Sequence, residues 1–299
     1  MNALNKKIKE LFDSGVNIME YFRNQNNSSQ NSIEAIKISY DLQAGSYIRI
    51  YNDNLDYNSK YTASIAKIFD KFGKINSLLE AGVGEATTMA NVVTKMNATP
   101  DFVCGFDISW SRVKHARAFA ESKKVDSNWL FTGDLFQIPL ADNSIDVVYT
   151  SHSIEPNGGR EVEALQELYR VASKYLVLLE PAYELASDEA KERIIKHGYV
   201  RNLPTIAKEL GYKVIEYRLF DFMINPLNPT GLLIIEKNVD SEPATPSFIC
   251  PATNGKLEKS DSCYFSPDSL MAYPIIGNIP CLLAENGILA SAFDKEVEL

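Results

Sequence analysis

Two rhythms of apolar positions run through the middle of this chain. Short, mostly apolar runs of strand length occur at Ser77–Glu80, Phe102–Asp107, Trp129–Thr132, Ile145–Thr150, Tyr175–Leu179, Lys213–Leu219 and Gly231–Glu236. Between them, Glu85–Met96, Ser109–Lys123 and Glu161–Ala172 carry apolar residues at helical spacing, such as Leu165, Leu168 and Tyr169. Ser187–Leu210 predicts one further helix. This alternation predicts an α/β fold: a seven-stranded, mostly parallel sheet with helices on both faces. Only a loop with Asn225-Pro226 and Asn228-Pro229 separates the last two strands. Those two are predicted to pair antiparallel at one edge of the sheet.

The flanks follow other patterns. Residues 1–72 predict a helical cap, interrupted by the Asn-, Ser- and Gln-rich stretch Asn24–Ser32, which reads as a mobile turn. In the cap, Tyr40, Tyr47, Tyr51, Tyr57 and Tyr61 precede Ile65, Ile68, Phe69 and Phe72 at helical spacing. The tyrosines either pack the cap on the core or line the mouth of a pocket. Val239–Ser247, with Pro243 and Pro246, reads as a linker. Beyond it, short apolar runs and many turn residues predict a small second module. The predicted division is a cap over 1–72, a central domain over 73–240 and the module over 247–299.

Composition narrows the classes. No stretch approaches the roughly 18 uncharged apolar residues of a membrane span. No apolar run follows the first residues, so a secretory signal is not expected. Four scattered cysteines (Cys104, Cys250, Cys263 and Cys281) do not make a disulfide scaffold, which points to the reducing cytoplasm. The net charge of −9 argues against a broad electrostatic grip on nucleic acid.

The first predicted strand runs into Glu80-Ala81-Gly82-Val83-Gly84-Glu85, a glycine turn that opens a helix. Such a turn lets backbone approach a ligand. Asp107 ends the next strand, where a carboxylate can accept bonds from both ribose hydroxyls. Gly133-Asp134-Leu135 brings another acid to the same crevice after the third strand. A dinucleotide loop wants a third glycine or alanine where Thr87 stands, and a pyrophosphate is repelled by Glu80 and Glu85. Acids at the loop suit a ligand with positive charge.

The residues Leu79–Glu85, Gly105–Ser109, Gly133–Leu140 and Asp142–His152 occur in an order and spacing that resembles the class I S-adenosylmethionine-dependent methyltransferases. The resemblance spans about Ser77 to Lys237 and implies a Rossmann-like fold, with S-adenosyl-L-methionine as cofactor and S-adenosyl-L-homocysteine as product. It implies that Glu80, Gly82, Val83 and Gly84 hold the methionine part and that Asp107 binds ribose. It further implies that Ile108 packs on adenine, that Asp134 and Leu135 read the adenine edge, and that Ser151 adjoins the cofactor. The usual third glycine of the loop is absent, with Ala86-Thr87-Thr88 in its place.

The fourth strand leads into Ser151-His152-Ser153-Ile154-Glu155-Pro156, at the end of the sheet where ligands bind. His152 is the first candidate for a general base, against a structural histidine, and Glu155 the second, against a helix cap. His115 reads as a surface residue. His197 reads as either a helix end or part of the substrate side. The Asn-Pro-Pro-Tyr found in amide and base N-methyltransferases of this class is missing, which favours a hydroxyl on a small molecule or glycan as acceptor. Nucleic acid and membrane are not expected partners. The alternatives are a methyltransferase of RNA or protein, and a non-catalytic cofactor-binding or scaffold protein. Phe248–Leu257 and Ala272–Leu283 resemble the two ends of the zinc-ribbon-like methyltransferase activator module. Thr253 stands where a second knuckle cysteine would, so no metal is expected.

Overall fold

Alternate residues of the central strands enter two separate apolar layers, as a period of two requires. Residues 2–237 and 243–293 are described by a computed structural model. Five helices come first: α1 (Asn2–Asp13), α2 (Ile18–Gln25), α3 (Ile33–Leu42), α4 (Ser46–Asp53) and α5 (Leu55–Asp70). The sheet that follows has strands β1 (Ser77–Ala81), β2 (Phe102–Asp107), β3 (Leu130–Thr132), β4 (Ile145–Ser151), β5 (Ala172–Pro181), β6 (Lys213–Leu219) and β7 (Thr230–Glu236). Its order is β3-β2-β1-β4-β5-β7-β6. The first five strands are parallel, and β7 lies antiparallel between β5 and β6. Because no helix intervenes, chain direction reverses between β6 and β7.

The connecting helices are α6 (Thr87–Val93), α7 (Trp110–Ser122), α8 (Glu161–Val171), α9 (Asp188–His197) and α10 (Leu203–Glu209). Leu78, Val147 and Val177 face α5, α6 and α7, while Leu79, Val148 and Leu178 face α8 and α10. The single helix predicted over Ser187–Leu210 is two. Gly198 (φ 67°) caps α9 in the left-handed region, and Asn202 (φ 60°) turns the chain into α10.

Asn24–Ser32 is anchored, contrary to the mobile turn predicted for it. Asn31 Nδ2 donates to the carbonyls of Pro156 at 2.9 Å and His197 at 3.3 Å. A side chain's hydrogen bonds to distant backbone cannot be read from local composition.

The carboxy-terminal segment forms a small antiparallel sheet of β8 (Glu258–Lys259), β9 (Cys263–Ser266), β10 (Met271–Ile276), β11 (Ile279–Pro280) and β12 (Ile288–Leu289). It covers the β3 edge. Leu282 N–H donates to the Thr132 carbonyl at 3.0 Å, and Phe248 packs on Trp129 and Phe131 with ring centroids 4.7 and 4.9 Å away. Of the linker expected over 239–247, residues 239–242 lie outside the described residues.

Two loops of this segment repeat one pattern. Cys250-Pro251-Ala252-Thr253 is followed by Asn254 at φ 59°, and Ser266-Pro267-Asp268-Ser269 by Leu270 at φ 56°. A left-handed leucine is costly, so the loop geometry imposes it. Cys250 Sγ lies 3.5 Å from both Ser269 Oγ and Tyr273 Oη, and Ser269 N–H donates to Ser266 Oγ at 3.3 Å.

Candidate functional site

The carboxyl ends of β1 to β4 open into one cavity roofed by Tyr40 and Tyr47 of the cap. Glu80, Gly82, Val83, Gly84, Asp107, Ile108, Asp134, Leu135, Ser151 and His152 all line it. Four separate segments thus meet, as expected for an open parallel sheet.

The glycine turn is shaped by contacts. A Cβ on Gly82 (φ 72°) would lie 2.2 Å from Ser153 Cβ, so no larger residue fits against the β4 loop. Gly84 (φ 54°) donates its N–H to Asp107 Oδ2 at 3.1 Å. Ala86, where the third glycine is missing, takes the left-handed conformation itself, at φ 57°.

The acids differ in their engagements. Glu80 is buried at 2% exposure, bonded by Tyr149 Oη at 2.9 Å, and burial pushes its pKa up to about 8. Asp107 accepts N–H groups from Ser109 and Gly84; burial raises its pKa, and the Arg112 charge offsets part of that. Asp134 accepts the Phe136 N–H at 2.9 Å, and burial raises it too.

Glu85 lies on the cavity wall, yet both of its carboxylate oxygens are engaged by the cap. Its carboxylate caps α4, accepting N–H groups from Gly45 at 2.7 Å, Tyr47 at 3.4 Å and Ile48 at 2.8 Å. The carboxylate that the sequence assigns to charge balance at the loop instead ties the cap to it.

Beyond β4, His152 adopts φ 57° and both ring nitrogens are engaged. Nδ1 lies 2.5 Å from Glu155 Oε2 and Nε2 lies 2.8 Å from Thr230 Oγ1. Burial alone would lower the His152 pKa, but the bond and charge of Glu155 raise it above its ordinary value. Burial would raise Glu155, yet bonds from His152, Asn228 and Tyr199 bring it below the usual carboxylate value. Glu180, 2% exposed, accepts the N–H groups of Ser153, Ile154 and Glu155, and burial lifts its pKa to about 7. Ser151 Oγ pairs with Tyr61 Oη at 2.9 Å. His115 is exposed, and His197 ends α9 with its ring stacked on Tyr199.

A second cavity adjoins the first across Tyr40 and Tyr47. Asn17, Ser39, Gln43, Glu155, Pro156 and Tyr199 contribute to its wall. Among the described residues, no group of three or more His, Cys, Asp or Glu side chains could hold a metal ion.

Sequence reasoning gave no defined role to Arg112, Thr230, Tyr199 or Glu180. Each acts through a partner far along the chain, and no local motif marks such a pair.

Residues 78–174 match Methyltransf_25, the methyltransferase domain family. This is a methyltransferase domain. Solved structures share the fold at low identity. Magnesium protoporphyrin IX methyltransferase from Synechocystis PCC 6803, with bound S-adenosylhomocysteine (SAH), is 16% identical with a TM-score of 0.52, over 67% of this chain and 99% of that one. A Haloferax volcanii complex between the Trm112 methyltransferase activator and a methyltransferase matches at 16% identity and a TM-score of 0.50, over 69% of this chain and 99% of that one. No helix among the described residues is long and apolar enough to cross a membrane.

Proposed function

We propose that this methyltransferase acts on a hydroxyl of an uncharged small molecule or sugar. The second cavity carries this reading: among the described residues its wall offers Glu155, amides and tyrosine rings, and no Lys, Arg or His. A phosphate or carboxylate placed there would face Glu155 without a counter-ion. Hydroxyls and ring faces suit the amides and tyrosines.

The first cavity fits the cofactor by its cradle. Gly82 leaves a space that a Cβ would fill, and Asp107 sits one hydrogen bond from the turn. In this reading Glu80, Gly82, Val83 and Gly84 hold the methionine end. Asp107 takes the ribose, Ile108 packs on the base, Asp134 and Leu135 read its edge, and Ser151 flanks the reacting end. S-adenosylmethionine supplies an already activated methyl group, so the protein's tasks are alignment and proton removal.

Glu155, bonded through Nδ1, orients the His152 ring and leaves the Nε2 lone pair to accept from Thr230. An acceptor hydroxyl replacing Thr230 as that donor would pass its proton to His152 as the methyl bond forms. Both residues then serve one reaction, with His152 as base and Glu155 as its orienting partner.

We read residues 1–72 as the cap, 73–240 as the catalytic domain and 247–299 as a fused relative of the zinc-ribbon-like activator module. The Haloferax volcanii complex supports that last reading. A role for the module in recognising RNA or protein is the competing function. Incubating the protein and methyl-labelled donor with fractionated cell extract tests the choice. Label is expected in neutral metabolite or glycan fractions; label in RNA or protein would reverse the proposal. Donor binding with no transfer to any fraction would favour a non-catalytic protein.

A further inference from the structure

Arg112 is 3% exposed, yet it stands on the wall of the first cavity. Its Nε donates to the Tyr40 carbonyl at 2.9 Å. The guanidinium lies between the rings of Tyr40 and Tyr47, 4.5 and 4.3 Å from their centroids. Nη1 runs beside the turn, 3.4 Å from where a Cβ on Gly84 would stand. Nη2 is buried and has no hydrogen-bond partner. Orphaned donors of this kind are rare in folded proteins, and a charged one is costly.

Among the described residues nothing satisfies Nη2. The nearby carboxylate, Asp107, already has one oxygen on the Gly84 N–H and the other on the Ser109 N–H. Asp41, on the cap side of the same helix end, accepts the Ser109 hydroxyl at 2.6 Å and the Ser111 N–H at 3.3 Å, both through Oδ1. Arg112 itself contributes to the cavity wall. Besides His152, the other charged groups on that wall, Glu80, Glu85, Asp107 and Asp134, are acids. S-adenosylmethionine carries a single anionic group, the α-carboxylate of its amino-acid end. A planar guanidinium matches a carboxylate with paired N–H donors. The turn also lacks its third glycine, with Ala86 in that place.

We propose that Arg112 binds the α-carboxylate of the cofactor, with its guanidinium held in position by Tyr40 and Tyr47 of the cap. This rests on the cofactor reading above. It makes the cap part of the cofactor site: two of its tyrosines fix the one cation that reads the cofactor's far end.

Titration calorimetry on the full chain tests it with two ligands: SAH, and 5′-methylthioadenosine, which lacks the amino-acid end. Arg112→Met is expected to weaken SAH binding on the order of 10–100-fold, the loss of one charge-assisted pair. It should leave 5′-methylthioadenosine within about twofold, a result that also shows the pocket intact. Arg112→Lys should fall between wild type and Arg112→Met for SAH alone, and carries the comparison if the methionine variant does not fold. Equal losses for both ligands, or unchanged SAH affinity, would overturn the proposal. A wild-type chain that binds neither ligand would instead strike the cofactor reading.

Discussion

His152 Nδ1 lies 2.5 Å from Glu155 Oε2, so the residue three positions on holds the ring of a histidine that lines the first cavity. The bond raises the His152 pKa, and a base works only when neutral. Turnover should therefore rise with pH through a value above about 6.5. Glu155→Gln removes the negative partner, so that limb should move to lower pH. His152→Ala should lower kcat on the order of 10²–10⁴-fold and abolish the limb while SAH affinity persists. A pH–rate profile of the three proteins checks this; a normal rate for His152→Ala would return it to a structural role.

Asp107→Ala is expected to weaken SAH binding at least about tenfold while the fold survives, since charge-assisted bonds to two hydroxyls are lost. Calorimetry against wild type measures it. Unchanged affinity would remove Asp107 from the site.

Glu80 predicts a proton-linked affinity. With its pKa pushed up to about 8 by burial, the ligand-free carboxyl is mostly protonated near neutrality. A cationic ligand favours the ionised form, so S-adenosylmethionine binding should release a proton, and affinity should increase between about pH 6 and 8. Titration in buffers of different ionisation enthalpy counts the proton. Glu80→Gln should remove the linkage.

Because Glu85 caps α4 through three N–H groups, Glu85→Ala leaves partly buried donors unbonded. A stability loss of about 1–3 kcal/mol is expected in urea unfolding. A change within error would show that water or the side chains nearby replace the carboxylate.

The paired loops at Cys250 and Ser266 predict an outcome for metal. Thr253, Ser266 and Ser269 occupy, with Cys250, the two positions of each loop that hold thiolates in a two-knuckle zinc site. Thr253→Cys/Ser266→Cys/Ser269→Cys should take up one Co(II) with tetrahedral thiolate absorption, and the wild-type chain none. Stoichiometric zinc in the wild type, or no Co(II) uptake by the variant, would refute the expectation.

Much of the framework follows from patterns shorter than fifteen residues. The strands at Phe102–Asp107 and Lys213–Leu219 have the predicted limits, and the antiparallel pairing of the last two strands follows from the missing helix between them. The glycine turn, Asp107 and Asp134 were legible because each is fixed by its place at the end of a strand. Local order along the chain is enough to determine such features.

The remainder depended on which distant residues meet. Glu85 and Glu80 flank the same turn and both line the cavity, yet only Glu85 caps α4; the docking of the cap separates them. Arg112 sits in a helix of ordinary pattern, and its burial comes from Tyr40 and Tyr47, more than sixty residues earlier. Ser266 and Ser269 carry no signal until Cys250 and Thr253 are folded against them. Hydrophobic period and turn chemistry are local properties that the sequence carries by itself. Charge balance, orphaned donors and shared hydrogen bonds arise between segments, and exist only once tertiary packing excludes the water that would otherwise satisfy those groups.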